Sequence, residues 1–144
     1  MPAVPRRRMH PGQKRMLWAT IALFLGAFLP WLYTPVGTVS GIGVGDLMLD
    51  GQPGAWVLYA SFAAMAAALA PWRMFSVVNG FLVAAIAIGL PLYHLWRMWE
   101  RVGFEGWMPG PGIVMSLAGG VLCFIGAREL LTLAEAPAGA APAR

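Results

Sequence analysis

The chain has 144 residues, enough for one domain, and 59% of them are hydrophobic whereas 11% are charged. Soluble domains average about 45–50% apolar and about 25% charged residues. A water-soluble protein this short could not bury so much apolar surface, because small domains bury only a modest fraction of their area. The composition therefore favours an integral membrane protein, although the formal net charge is +4.

The basic residues are concentrated before the first apolar segment. Five of the ten precede it: Arg6, Arg7, Arg8, Lys14 and Arg15. A basic cluster beside a membrane span is typical of a topology determinant that contacts anionic lipid headgroups. No stripe of aromatic and basic residues accompanies the cluster, so we expect no nucleic-acid partner. The single cysteine, Cys123, excludes an intramolecular disulfide and a cysteine-based metal site within one chain.

Four apolar runs predict four membrane-spanning helices. They cover residues 16–33, 55–72, 74–96 and 110–127. The first run and its basic flank imitate a signal peptide, but no small-x-small cleavage site follows closely, so we favour an uncleaved span. Residues 1–15 are predicted to be a basic cytoplasmic tail. Residues 134–144 are rich in Ala and Pro and are predicted to be disordered.

Two segments between the spans have features of their own. Residues 34–54 are rich in Gly and Pro, which predicts a loop. Within it, a short hairpin is predicted over Thr38 to Leu49. Residues 97–109 mix Trp and Phe with Arg and Glu. Helical spacing predicts an amphipathic piece on the outer leaflet, and the same mixture is favoured at protein interfaces. The sequence leaves both interpretations open.

The distribution of Lys and Arg predicts the orientation. An inner N-terminus leaves eight basic residues inside and only Arg97 and Arg101 outside, which satisfies the positive-inside rule. Tryptophan prefers the headgroup level, and we expect six tryptophans at the interfaces. They are Trp31, Trp56, Trp96, Trp99 and Trp107 on the outer side and Trp72 on the inner side. The prediction is a four-helix, all-α transmembrane bundle, N-in and C-in, in the cell inner (plasma) membrane.

Helix contacts in lipid rely on small residues that permit close approach. The predicted contact residues are Ala60, Ala64 and Ala68 in the second span, Gly80 and Ala84 in the third, and Gly112, Ser116 and Gly120 in the fourth. Asn79 is the most polar side chain at membrane depth, and we expect it to hydrogen-bond a neighbouring helix. These stripes could build either the monomer or an oligomer, and we favour the monomer.

No Asp, Glu, Lys or Arg lies inside the four runs. Ion-coupled transporters, proton pumps and voltage sensors generally need buried ionisable groups in the membrane. His94 has no second histidine at matching depth with which to bind haem, and we expect it to face water at the interface. No nucleophile accompanies a histidine in a catalytic pattern. We therefore predict no catalytic, cofactor or metal site.

The first span closes with Leu29-Pro30-Trp31, and Ser40-Gly41 and Gly45-Asp46 follow. This pattern resembles small four-helix bacterial membrane proteins of uncharacterised function. The resemblance implies the four-helix membrane fold and supplies no activity.

Two functions fit the sequence. The first is a non-catalytic accessory or scaffold subunit that packs against a larger membrane complex. It is suggested by the small-residue stripes, the aromatic outer face and the absence of charge from the spans. The second is a small oligomeric transporter, channel or holin-like pore, whose lumen would need Asn79, Ser61, Ser76 and Ser116. The expected partners are the lipid bilayer with its anionic headgroups, and a membrane protein or a second copy of the chain.

Overall fold

Prolines set most of the helix boundaries. Proline is tolerated at the first helical position, and the residue before a proline is pushed out of the helical region. The computed structural model describes residues 9–43, 47–48, 52–103 and 105–135. Its helices are α1 (Pro11–Phe28), α2 (Pro53–Leu69), α3 (Arg73–Val102) and α4 (Pro111–Glu135). Helices α1, α2 and α4 begin at a proline, and the extended backbone of Leu29 and Ala70, each before a proline, ends α1 and α2.

The four helices pack in cyclic order. Helix α1 contacts α2 and α4, and α3 contacts the same two helices from the opposite side. The order up-down-up-down brings the start of α1, the α2–α3 turn and the last turns of α4 together. This end carries Lys14, Arg15, Arg73 and Arg128, and we call it the basic end.

A small sheet covers the other end, which we call the sheet end. Its strands are β1 (Pro30–Thr34), β2 (Gly37–Ser40), β3 (Leu47–Met48) and β4 (Met108–Pro109), in the spatial order β3-β2-β1-β4. Strands β1 and β2 form an antiparallel hairpin, in which Leu32 pairs with Val39. Strand β4 is antiparallel to β1, whereas β3 is parallel to β2.

The predicted four helices are present, and the predicted hairpin after the first of them is part of a larger, four-stranded sheet. The first predicted span, 16–33, is helical only as far as Phe28, because Pro30 has no N–H with which to continue the helix. The hairpin predicted over Thr38 to Leu49 instead spans Pro30 to Ser40, so its first strand comes from the predicted span. Asp46 and Asp50 of the predicted loop lie outside the described residues.

Helices α3 and α4 are longer than the predicted spans 74–96 and 110–127. Helix α3 continues into the segment 97–109, which was predicted to form an amphipathic piece, and ends before Gly103, whose φ is 65°. Ala134 and Glu135 of the predicted tail belong to α4, whereas residues 136–144 lie outside the described residues, as do residues 1–8. Among the described residues, two helical segments are long and apolar enough to cross a membrane, namely Arg73–Val102 in α3 and Pro111–Thr132 in α4.

The most extensive helix–helix contact is that of α1 with α4. Its contact line, which we call the glycine seam, pairs Gly12 with Gly126, Ala19 with Gly119, and Gly26 with Gly112. A Cβ at Gly126 would lie 2.7 Å from the carbonyl oxygen of Gly12, and one at Gly26 would lie 3.0 Å from that of Gly112. The two backbones therefore touch at both ends of the seam.

The seam has a seven-residue period on both helices. Positions 12, 19 and 26 of α1 meet positions 126, 119 and 112 of α4 in antiparallel order. A period of seven keeps one line of residues facing the partner when two helices cross at a shallow angle. Because the line consists of Gly and Ala, main-chain atoms of the two helices can approach closely, as they do between helices in membranes.

We expect Gly126→Ala to lower the free energy of unfolding by about 1–3 kcal/mol, because the added methyl group would collide with the backbone of α1. The matched control is Gly89→Ala on α3, where an added Cβ would meet no atom within 4 Å. Gly89→Ala should stabilise the protein by about 0.5–1 kcal/mol, since alanine favours a helix over glycine. Thermal unfolding of the purified variants measures both changes. Equal stability of the two variants would contradict the close backbone contact between α1 and α4 at Gly126.

Candidate functional site

Trp31 is one of the predicted interface tryptophans, yet the structure buries it completely. The pairing of β1 with β2 is irregular between Pro30 and Leu32, and both Trp31 and Leu32 are buried. The indole lies in a slot that glycine creates. A Cβ at Gly41 would lie 2.6 Å from its Nε1 atom, and a Cβ at Gly112 would lie 2.6 Å from its Cδ1 atom. Trp31 is therefore a packing residue of the sheet end and lies inside the protein.

The Trp31 indole also satisfies a backbone group of α1. In a helix the carbonyl of Gly26 would accept a hydrogen bond from residue 30, but Pro30 has no N–H. Trp31 Nε1 donates to this carbonyl instead, at 3.0 Å. The Trp31 carbonyl accepts from the N–H of Gly110 at 2.7 Å, which links β1 to the start of α4. The Pro-Trp pair thus ends α1 and joins it to α4.

The other predicted interface tryptophans lie at the surface. Trp56, Trp72, Trp96 and Trp99 are each more than half exposed. Trp107 is partly buried, and its Nε1 donates to the Gly103 carbonyl at 2.8 Å, which fixes the turn between α3 and β4.

A groove at the sheet end gathers three of these rings. It has a volume of about 400 Å³ and is lined by Leu95, Trp96, Trp99, Trp107 and Pro109; we call it the aromatic groove. Arg97 lies beside it, and its Nη1 donates to the Tyr93 hydroxyl at 3.2 Å. Among the described residues Arg97 forms no salt bridge with Glu100.

His94 is half-buried beside the core at the sheet end. Its ring meets the edge of Trp31 at a centroid distance of 6.4 Å and that of Tyr93 at 5.5 Å. The predicted water-facing position is therefore only partly correct. Among the described residues no group of three or more His, Cys, Asp or Glu side chains lies close enough to hold a metal ion.

The predicted helix-contact residues lie in the interior. Ala60, Ala64, Ala68, Gly80, Ala84, Gly112, Ser116 and Gly120 are all buried. In α4, Gly112 and Ser116 face Gly26 of α1, whereas Gly120 faces Ala87 of α3. Asn79 is partly buried, and its Nδ2 donates to the Ala63 carbonyl at 2.7 Å, which ties α3 to α2.

Sequence reasoning missed most of the glycine seam. It identified Gly112 but neither Gly12, Gly26, Gly119 nor Gly126. The seven-residue spacing of Gly112, Gly119 and Gly126, repeated by Gly12, Ala19 and Gly26, was the available signal. It differs from the four-residue spacing of Gly112, Ser116 and Gly120, on which the predicted contacts in α4 were based.

A cleft with both polar and apolar lining residues lies at the basic end. It has a volume of about 340 Å³, and we call it the basic cleft. It is lined by His10, Gln13, Ala70, Pro71, Arg73, Ser76 and Leu130. Arg73 Nε donates to the Leu130 carbonyl at 2.9 Å, which holds the guanidinium between α3 and α4. Beside the cleft Arg15 forms a salt bridge with Glu129.

Comparisons with protein-family models, with curated proteins and with solved structures give no match for this chain. Its function is therefore inferred from its own chemistry.

We expect Trp31→Phe to lower the free energy of unfolding by about 1–3 kcal/mol, because the Gly26 carbonyl would lose its buried donor. Trp96→Phe makes the same chemical change at a ring that is 63% exposed. This control should shift the free energy of unfolding by less than about 0.5 kcal/mol. Chemical denaturation of both variants provides the measurement, and equal effects would mean that the indole bond contributes nothing.

Proposed function

We propose that the chain is a non-catalytic protein that crosses the inner membrane four times, with both ends in the cytoplasm, and serves as an accessory subunit of a larger membrane complex. The aromatic groove at the sheet end is the observation that carries the subunit role. The membrane assignment rests on the outer surface of the helices, on the aromatic residues and on the distribution of charge.

The first support is an exterior that is more bulky and apolar than the interior. The buried positions are largely Ala, Gly and Ser, whereas large apolar side chains point outward from all four helices. They include Ile21 and Phe24 of α1, Phe62 and Leu69 of α2, Val78 and Leu82 of α3, and Val114 and Val121 of α4. Soluble monomers rarely expose contiguous apolar patches of more than a few hundred Å². Lipid chains would cover these side chains without cost.

The second support is the spacing of tryptophans along α3. Trp72 precedes the helix and Trp96 lies 24 positions later, or about 36 Å at 1.5 Å per residue. The hydrocarbon core measures about 30 Å, and about 40–45 Å with the headgroups. A helix that crosses the bilayer would hold one ring near each headgroup layer, where tryptophan is favoured. Their exposures of 73% and 63% fit contact with lipid.

The third support is the separation of the charges. Between Met16 and Trp96 the described residues include one charged side chain, Arg73, which lies at the basic end. Arg97, Glu100 and Arg101 belong to the last turns of α3, beyond Trp96. Arg128 and Glu129 of α4 lie at the basic end. A middle zone without charge is what the hydrocarbon layer requires.

The subunit role follows from the surface at the sheet end. Trp96, Trp99 and Trp107 surround an apolar groove, and Arg97 lies next to it. Exposed tryptophan and arginine are the residues that contribute most often to binding energy at protein interfaces. Because α3 is 30 residues long, or about 45 Å, its last turns would emerge from the hydrocarbon and be accessible to a partner.

The side chains that a pore would need are already occupied. Ser61, Ser76 and Ser116 are buried, and each hydroxyl donates to a backbone carbonyl of its own helix or its N-cap residue. Asn79 donates to the Ala63 carbonyl of the neighbouring helix. In a pore, such polar groups would face a water-filled lumen. Because these four side chains are hydrogen-bonded within the chain instead, they favour the accessory subunit over the oligomeric pore.

The topology predicts which single cysteines a membrane-impermeant thiol reagent will label in intact cells. In a Cys123→Ala background, Val36→Cys in the β1–β2 turn should be labelled, because Val36 is 79% exposed at the sheet end. Lys14→Cys, exposed at the basic end, should be labelled only after the cells are opened. Labelling of both in intact cells, or release of the protein from membranes by alkaline carbonate, would contradict the proposed topology.

The subunit role predicts a defined complex. Native mass spectrometry of the protein, extracted from its own host with surrounding lipid, should reveal a fixed stoichiometry with another membrane protein. Trp96→Ala should remove that partner, because Trp96 lines the aromatic groove. Trp56→Ala, which truncates an exposed ring outside the groove at the same end, should retain it. A bare monomer, a homo-oligomer or equal loss in both variants would refute the role.

A further inference from the structure

We propose that the basic cleft is a binding site for a phosphate group. The ligand chemistry is a singly or doubly charged phosphate, held by Arg73 between the first turns of α1 and α3. An anionic phospholipid headgroup and free phosphate share this chemistry. The lipid source rests on the proposed membrane function, whereas the site itself depends only on the geometry of the cleft.

Arg73 is positioned to bind an anion. Its Nε is bonded to the Leu130 carbonyl, so the guanidinium is anchored and its two terminal nitrogens keep their donors. Among the described residues no carboxylate pairs with Arg73. A guanidinium with two parallel donors matches phosphate oxygens and loses little freedom on binding when its stem is already fixed.

The wall of α1 adds further donors. His10 Nδ1 accepts from the N–H of Gly12 at 3.1 Å, so the neutral ring carries its proton on Nε2. Gln13 Oε1 accepts from the N–H of His10 at 3.1 Å, which leaves the amide NH₂ of Gln13 as a donor. Both side chains line the cleft, and their acceptor atoms are used within the capping box. What they can still offer to a ligand is therefore hydrogen-bond donors.

Two helix N-termini at the cleft also favour an anion. Helices α1 and α3 both begin at the cleft, and neither has an acidic residue in its first turn. Trp72, the N-cap residue of α3, supplies no side-chain acceptor to the first N–H groups of that helix. Uncapped N–H groups and the positive end of the helix dipole favour an anion.

The charged groups around the cleft leave a positive balance. Lys14 and Arg15 lie on α1, Arg73 on α3, and Arg128 and Glu129 on α4. Glu129 is the one acid with a described side chain at this end; its Oε1 is paired with Arg15, whereas its Oε2 is buried without a hydrogen-bond partner. Arg73 is thus the cation inside the cleft. The volume of about 340 Å³ falls within the range of about 300–1,000 Å³ that small-molecule sites occupy.

Three substitutions, each of which lowers the net charge by one, test the site. Arg73→Gln removes the anchored cation. Gln13→Glu keeps a side-chain oxygen that can accept from the His10 N–H, as in the capping box. It adds a negative charge to the lining of the cleft, and it removes neither partner of the Arg73–Leu130 hydrogen bond. The control is Arg128→Gln, at an exposed position of the same end that does not line the cleft.

Native mass spectrometry measures the affinity for phosphatidylglycerol, with phosphatidylcholine as the reference lipid. Thermal unfolding of the delipidated protein in neutral detergent measures the stabilisation by inorganic phosphate. Loss of about tenfold in phosphatidylglycerol affinity in Arg73→Gln and Gln13→Glu, with Arg128→Gln within about twofold of the unmodified protein, supports the lipid source. A stabilisation by inorganic phosphate that the same two variants lose supports the free anion.

Equal weakening by all three substitutions would overturn the proposal, because it would mean that only the overall charge of this end matters. Unchanged affinity for both probes in Arg73→Gln and Gln13→Glu would overturn it as well. If the cysteine labelling contradicts the topology but inorganic phosphate still binds, the proposed membrane function fails. The cleft then remains a phosphate site, and only the lipid source is excluded.

Discussion

The fold depends on the contact between the backbones of α1 and α4. Along the glycine seam, Gly12 meets Gly126 and Gly26 meets Gly112 with no room for a Cβ atom. Helices this close gain dispersion contacts along their backbones, which is the chief source of attraction where the surroundings are as apolar as the side chains. The seam also fixes how the two ends of the molecule are assembled, because each end of it lies beside a cluster of polar or aromatic contacts.

At the sheet end the seam leads directly to Trp31. The indole occupies the slot beside Gly112 and donates to the Gly26 carbonyl, which Pro30 leaves without its helical donor. Strand β1 follows, and β2 and β4 pair with it. The sheet end is thus held by one buried ring, and the last turns of α3 and the aromatic groove lie next to this fixed base.

At the basic end the seam brings α4 beside the first turn of α1, where Arg15 pairs with Glu129 and Arg73 bonds to Leu130. The middle of the helices contains small buried residues whose polar groups are bonded within the chain. The two ends carry the groups that can meet other molecules. This arrangement is consistent with the proposed functions, in which lipid covers the sides, a protein partner binds at the sheet end and a phosphate group binds at the basic end.

The sequence by itself determined the helices and the character of their surfaces. Prolines at positions 11, 30, 53, 71 and 111 set helix boundaries through local sterics, and the long apolar runs could belong only to helices packed together or surrounded by lipid. Small residues in α2 and α3, such as Ala64 and Gly80, were identified from spacing alone. These properties are readable because they depend on residues close together in the chain.

Only the tertiary structure decided which helices meet and what lies between them. Trp31 was predicted to lie at the membrane interface, because tryptophan at the end of an apolar run favours the headgroup layer. In the structure its ring is buried instead, in the space left by the missing side chains of Gly41 and Gly112. The glycine seam needs α1 and α4 side by side, and the basic cleft needs residues near positions 10, 73 and 130. Local pattern cannot supply these pairings, because they arise when distant segments pack and their free energy comes from contacts that no single segment contains.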